Sequence, residues 1–208
     1  MADMQIDINR LRETPVNHEP FDYMVVPGFI REESLESLHK DYPDVGKPGS
    51  FPVSSVTCGP SFEQVLREIQ SPEMTAAIEE KFDIDLAGKP TMVTVRDRCR
   101  ERDGQIHVDS KGKLITVLIY MNPPWEDGGG RLRVLRGPGD IEDYAAEVPP
   151  DAGTLLAFRC TPDAWHGHKP FEGRRRAIQL NWVVDESYLK REQRRHRLSA
   201  FLKKFRAA

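Results

Sequence analysis

The sequence predicts a mainly β domain in which a helical layer backs an antiparallel sandwich or barrel. Two features carry the prediction. Before residue 90 the apolar residues recur at three- and four-residue spacing, as in helices that bury one face. After it, short β-branched runs follow one another between Gly, Pro and Asp turns. Helices first and strands second do not build βαβ units, which argues against a parallel, doubly wound sheet. At 208 residues the chain reads as a single domain, long enough to bury a proper core.

Residues 1–20 are polar, with Pro15, Asn17 and Pro20, and are expected to form a loose leader. Residues 21–89 are expected to hold an N-terminal strand and the support helices. Asp22–Val26 reads as the strand, stopped by Pro27-Gly28. Glu32–Asp41 places Leu35 and Leu38 on one helical face with acids in the first turn. Pro43 and the Gly46–Pro52 cluster end that helix in a loop, and Phe51–Thr57 reads as a short strand. Ser61 precedes a helix over Phe62–Ile69, in which Phe62, Val65, Leu66 and Ile69 share one face. Ser71 and Pro72 look like the N-cap and first residue of a third helix, through Phe82. Residues 90–184 form the β core, with strands over Thr91–Arg96, Leu114–Met121, Arg131–Leu135, Thr154–Phe158 and Ala177–Val184. Residues 185–208 are expected to form a basic helix, with Leu198, Phe201, Leu202 and Phe205 as its apolar stripe.

The net charge of −3 suits neither a general polyanion binder nor an acidic tail protein, but it is unevenly spread. Residues 190–206 carry eight Lys/Arg against one Glu, a local +7, which leaves −10 on residues 1–189. The basic segment is expected to pack on the sheet with its charges outward. Nucleic-acid or membrane-surface attachment is the weaker alternative, since no binding motif or interleaved aromatic pattern accompanies the charge. Cys58, Cys99 and Cys160 are odd in number and widely spaced, which fits idle thiols in a reducing cytoplasm. No apolar signal region and no long apolar run is present, so neither a signal peptide nor a membrane span is expected.

The chemistry gathers at His107-Val108-Asp109. Side chains two apart in an extended chain point to the same side, so His107 and Asp109 can grip one cation while Val108 packs away. Of the six histidines, His18, His39 and His196 lie in polar surroundings, whereas His166 and His168 follow Trp165 just before the last strand. Either would add a second imidazole. Two imidazoles and one carboxylate occupy one face of an octahedral cation and leave three positions open, a set that suits iron(II) and oxygen activation. Downstream, Arg174, Arg175 and Arg176 open the last strand. Arg176 shares a face with Ile178, Leu180 and Trp182, whereas Arg175 shares the small, polar face of Ala177 and Gln179. Arg175 is therefore the arginine expected to hold a dicarboxylic acid by a bidentate pair, with Arg176 the reserve if the register slips.

These residues resemble the iron(II)/2-oxoglutarate-dependent dioxygenase superfamily, in its prolyl-hydroxylase-like branch. The resemblance covers roughly residues 90–184 and, more faintly, the lead-in at Val26–Ile30. Its pieces stand in the family's order: His107-Val108-Asp109, the strand Val117–Asn122, Trp125 with Gly129-Gly130, Pro150–Phe158, Trp165-His166, and Gly173–Ile178. The resemblance implies a double-stranded β-helix, or jelly-roll, with the N-terminal helices packed on one sheet. It implies His107, Asp109 and His166 as metal ligands, with Arg175 and Tyr120 on the far carboxylate of 2-oxoglutarate. Fe(2+), the cosubstrate 2-oxoglutarate and O2 are the implied cofactors, with release of succinate and CO2. A carboxylate at position 109 favours hydroxylation over halogenation. His168 departs from the pattern, standing where the family usually has an apolar residue.

The expected function is thus hydroxylation of an unactivated C–H on a peptidyl residue, a free amino acid or a small metabolite. Two other readings use the same three ligands: a metal-binding β-barrel interaction protein without turnover, and a cupin-like hydrolase or isomerase. Gly128-Gly129-Gly130 lacks the Lys-Ser/Thr of a phosphate loop and reads as a tight turn. Arg96, Arg98, Arg100 and Arg102 are expected at a solvated strand edge, with one or two of them able to meet an anionic substrate. The loops 44–60, 97–106 and 136–147 are expected to frame the opening.

Overall fold

A computed structural model describes residues 4–192 and 194. In chain order the elements are α1 (Ile8–Glu13), β1 (Tyr23–Val26), α2 (Glu32–Asp41), β2 (Phe51–Pro52), α3 (Pro60–Glu68), α4 (Pro72–Phe82), β3 (Thr91–Cys99) and β4 (Lys113–Tyr120). β5 (Leu132–Leu135), β6 (Tyr144–Val148), β7 (Leu155–Arg159), β8 (His166–His168) and β9 (Gly173–Val183) follow. The strands form a six-stranded sheet, ordered β1-β7-β4-β9-β3-β2, and a three-stranded sheet, ordered β6-β5-β8. All named strand pairs are antiparallel, giving the two-sheet jelly-roll architecture. A helical segment, 186–192, follows β9.

Alternation sorts the large sheet into two faces. Val93 and Val95 of β3, Ile115, Val117 and Ile119 of β4, and Ile178, Leu180 and Trp182 of β9 join the helices in one core. Leu38, Phe62, Val65, Ile69, Met74 and Ile78 fill the helical side of it. Each such buried side chain contributes about 1.5–3 kcal/mol relative to exposure. The opposite face looks into the space between the sheets. There Tyr120, Leu132, Val134, Leu156, Phe158 and Ala177 form a second, smaller core that closes one part of the space and leaves the rest open.

Several elements differ from expectation. The leader is packed rather than loose: Ile6, Ile8 and Leu11 join the main core. Asp7 caps α1 by accepting the Arg10 N–H at 3.0 Å, and the Glu68 carboxylate accepts the N–H groups of Gln5 and Ile6. A six-residue helix with two buried positions is too short to show a period in sequence. The strand expected over Phe51–Thr57 is only Phe51–Pro52, followed by a 3-10 turn at Val53–Ser55. Helix α3 begins at Pro60, with Gly59 rather than Ser61 at its N-cap. The loop expected over 136–147 contains all but the last residue of β6, whose Tyr-Ala-Ala-Glu-Val forms a strand by pairing with β5. β8 is three residues, His-Gly-His, held by β5 in the same way. β3 and β9 run on to Cys99 and back to Gly173, with a register shift between Arg96 and Arg98. The C-terminal stripe of Leu198, Phe201, Leu202 and Phe205 lies outside the described residues.

Candidate active site

His107 and His166 are brought opposite one another by an isolated antiparallel bridge. Each donates its backbone N–H to the other's carbonyl at 3.0 Å. Paired residues on adjacent strands project to the same side, and the two imidazole centroids lie 4.3 Å apart. His107 Nδ1 is 2.8 Å from the Gln105 carbonyl and His166 Nδ1 is 2.9 Å from that of Ala164. With Nδ1–H donating to those carbonyls, both Nε2 lone pairs are free to coordinate, as metal-binding histidines require. Asp109 completes the group: one ligand atom from each of the three lies within 4.8 Å of the others.

Both Asp109 oxygens are already oriented. Lys113 Nζ donates to Oδ1 at 2.8 Å and Thr116 Oγ1 to Oδ2 at 2.5 Å. Thr116 accepts from Asn181 Nδ2 at 2.6 Å. Burial opposes ionisation of Asp109, but Lys113, His166 and Thr116 outweigh it and hold the carboxyl below its usual range. Burial and the neighbouring His107 lower His166 to about 4, so its ring is neutral at physiological pH. Burial, with Asp109 nearby, pushes the adjacent Cys160 thiol up to about 12 and keeps it protonated.

The group faces a cavity of about 340 Å3 between the sheets. Arg175, Ala177, Gln179 and Asn181 of β9 line it, as do Thr116 and Leu118 of β4 and Met92, Thr94 and Arg96 of β3. Arg176, the reserve of the arginine pair, turns to the other face, where it donates to Asp97 at 3.2 Å and stacks over Tyr42. Arg175 Nε donates to the Gly130 carbonyl at 2.6 Å. The Gly129-Gly130 turn itself requires glycine: a Cβ on Gly129 would lie 2.2 Å from the Pro170 oxygen, and Gly130 has φ of +73°.

Arg175 Nη2 and the Tyr120 hydroxyl are buried without a hydrogen-bond partner among the described residues. The guanidinium lies 5.2 Å from the centre of the Tyr120 ring. Burial raises the Tyr120 pKa against the pull of Arg175, so the phenol keeps its proton and remains a donor. Leaving a buried donor unpaired costs about 1–3 kcal/mol. Two such donors, one charged, fit the far carboxylate of a small diacid, just as two Nε2 lone pairs and a carboxylate fit iron(II). His168 also lines the cavity, its ring against Gly104, where a Cβ would lie 2.1 Å from Nε2. Burial and Arg175 lower its pKa to about 4.

Sequence reasoning missed Thr116, Asn181 and Lys113. The first two were available by alternation, Thr116 two steps before Leu118 and Asn181 two beyond Gln179. Lys113 was hidden by the register shift between Lys113 and Ile115, which breaks the two-residue period.

A jelly-roll whose mouth gathers two imidazoles and a carboxylate, with a buried guanidinium on the cavity wall, offers the donor set of a mononuclear iron site and an anchor for a diacid cosubstrate. Residues 97–184 match the family model of the 2OG-Fe(II) oxygenase superfamily. The enzyme class is accordingly 2-oxoglutarate-dependent oxygenase, with Fe(2+), 2-oxoglutarate and O2 as cofactors. No curated protein matches the sequence. The fold is shared with a Pseudomonas putida prolyl-4-hydroxylase at 14% identity, over 85% of this chain and 90% of that one, with a TM-score of 0.56. A viral collagen prolyl hydroxylase from Paramecium Bursaria Chlorella virus-1 in its 2OG complex matches at 16% identity, 78% and 96% coverage, and a TM-score of 0.51. HygX from Streptomyces hygroscopicus, with nickel and 2-oxoglutarate bound, matches at 13% identity, 79% and 83% coverage, and a TM-score of 0.51. Among the described residues no helix is long and apolar enough to cross a membrane.

Proposed function

We propose that the protein hydroxylates an unactivated C–H bond of its substrate, with His107, Asp109 and His166 as the iron ligands and Arg175 as the cosubstrate anchor. The observation that carries this reading is the buried, unpartnered Nη2 of Arg175 on the wall of the cavity that the triad faces. Bound iron(II) supplies oxygen activation: one atom of O2 enters the substrate as hydroxyl, the other enters succinate, and 2-oxoglutarate loses CO2.

The chain's own residues bind and orient. The Gln105 and Ala164 carbonyls fix the tautomers of His107 and His166, and Thr116 with Lys113 fixes the Asp109 carboxylate. Arg175 receives the far carboxylate of the cosubstrate together with the Tyr120 hydroxyl, whose ring lies 5.2 Å from the guanidinium. Leu118, Leu132 and Ala177 give that part of the cavity an apolar wall. The neutral His166 and His168 add no charge to compete with the metal. The substrate is a peptidyl residue, an amino acid or a small metabolite. Two structural neighbours are prolyl hydroxylases, and at 14% and 16% identity their likeness is one of fold.

The test is anaerobic addition of iron(II) and 2-oxoglutarate. A weak metal-to-ligand charge-transfer band in the visible, with 2-oxoglutarate-dependent thermal stabilisation, is expected. Absence of both would refute the reading. A metal hydrolase would bind metal and ignore the cosubstrate, whereas a non-catalytic barrel would bind metal and release succinate only at background across a broad substrate panel.

A further inference from the structure

We propose that the substrate is a small polar molecule bearing a carboxylate, anchored by Arg96, rather than a prolyl side chain of a polypeptide; this rests on the oxygenase reading above. Once the triad, Lys113, Thr116 and Arg175 are set aside, the wall that remains is shared by β3 and β9 with Val108, Ser110, Leu118, Leu132 and His168. The register of β3 on β9 sets Met92 beside Asn181, Thr94 beside Gln179 and Arg96 beside Ala177, all facing the cavity. Ser50, just before β2, joins them. Met92 is the one large apolar side chain that β3 and β9 add to Val108, Leu118 and Leu132, and no Phe, Tyr or Trp lines the cavity among the described residues. A pyrrolidine ring gains its affinity by apolar contact. Set against Thr94, Gln179 and Asn181 it would displace water from polar groups without replacing their hydrogen bonds.

The charge balance selects the sign of the polar ligand. Asp103 is shared by two guanidiniums: Arg100 donates to it at 3.0 Å through both Nη2 and its backbone N–H, whereas Arg96 Nη1 stands at 3.5 Å. The other arm of Arg96 donates to the uncharged Ser50 hydroxyl at 3.2 Å. Two cations on one carboxylate leave a surplus positive charge at this rim. Elsewhere on the wall Arg175 is committed to the cosubstrate and Lys113 to Asp109. Glu192, the other acid of the wall, enters from the segment that follows the Val183 end of β9, while Arg96 pairs with Ala177 nearer its start. A planar guanidinium with room beside a small residue, here Ala177, matches a carboxylate bidentately.

Size points the same way. About 340 Å3 is near the lower end for a small-molecule site, and the cosubstrate takes part of it. The segment before β2 is tied down across this end, with Pro48 bridged to Arg98 and Gly49 N–H on the Arg98 carbonyl.

The experiment uses the full chain loaded with nickel(II) and 2-oxoglutarate. It is titrated with three- to six-carbon hydroxy, amino and dicarboxylic acids, each beside its primary amide, and with prolyl peptides, and binding is read by thermal shift and calorimetry. At least one acid is expected to bind while its amide does not, a comparison that needs no variant. Arg96→Gln should weaken that acid at least tenfold with 2-oxoglutarate affinity unchanged within threefold, and Arg96→Lys should recover part of the loss. The proposal is overturned if no acid of the panel binds, if acid and amide bind alike, or if prolyl peptides bind and Arg96→Gln leaves them unaffected. An equal loss of 2-oxoglutarate affinity in Arg96→Gln would overturn it too, assigning Arg96 to the cosubstrate. Failure of the wild-type protein to take up 2-oxoglutarate at all would instead sink the oxygenase reading.

Discussion

The Thr116 hydroxyl donates to Asp109 Oδ2 at 2.5 Å and is itself held by Asn181 Nδ2 at 2.6 Å. The carboxylate at the cavity mouth is therefore aimed by two strands of the large sheet rather than by its own loop. Supports of this kind commonly change metal affinity 10–100-fold. Thr116→Val keeps the shape and removes the hydrogen bond, so metal affinity is expected to fall within that range while the fold persists. Metal titration with circular dichroism as the folding control checks it; wild-type affinity in the variant would show that Lys113 alone orients Asp109.

Arg175→Ala separates cosubstrate from metal. Truncating one partner of a buried charged pair costs about 2–5 kcal/mol, at least roughly a 25-fold loss of affinity. The variant should lose 2-oxoglutarate binding by that factor or more and bind iron(II) or nickel(II) as before. Parallel titrations decide it, and retention of 2-oxoglutarate binding would remove Arg175 from its assigned place.

The buried histidines give the metal-free protein an acid-sensitive window. Burial, helped by like charges, holds His166 and His168 at about 4 in the fold, below the ordinary value of 6.5. Between those values the unfolded chain binds protons that the native state does not. Stability is therefore full above about pH 6.5 and falls as pH drops toward 4, by up to about 1.4 kcal/mol per unit for each proton. Asp22, Asp103 and Asp109, held below 3.8, lose their contributions only at still lower pH. Denaturant midpoints at pH 7, 6 and 5 should decline, and His168→Gln should flatten the slope. An identical slope in the variant would count against the buried, neutral state of His168.

The N-terminal segment is predicted to matter for stability. Leu11 is fully buried in the main core beside α4, and Leu→Ala at such sites costs about 2–5 kcal/mol. A loose leader would tolerate the change, so a denaturation midpoint for Leu11→Ala that matches the wild type would contradict the packing of α1.

The β core was legible because its signals are local. The two-residue period placed Ile178, Leu180 and Trp182 on one face of β9 and Arg175, Ala177 and Gln179 on the other, as they stand in the structure. α2 and α3 were legible by the 3.6-residue period of their buried faces, and α4 by its Ser71-Pro72 start. Segments whose structure is imposed from outside were not. α1 holds two buried residues, β8 is a His-Gly-His tripeptide, and β6 is mostly alanine and polar; each takes its shape from the neighbour it pairs with or packs on.

The site divides in the same way. The sequence by itself determined the donor types: an imidazole and a carboxylate two residues apart, further imidazoles sixty residues on, and an arginine on the polar face of the last strand. The resemblance named His166 over His168, and the tertiary structure supplies the physical reason that His166 stands opposite His107: a bridge between distant strands sets that register. The tertiary structure likewise placed Thr116, Asn181 and Lys113 around Asp109, and set Arg96 apart from Arg98 by the register shift between them. Which side chains converge is a property of sheet register, and register is a relation between segments that no single stretch of the chain contains.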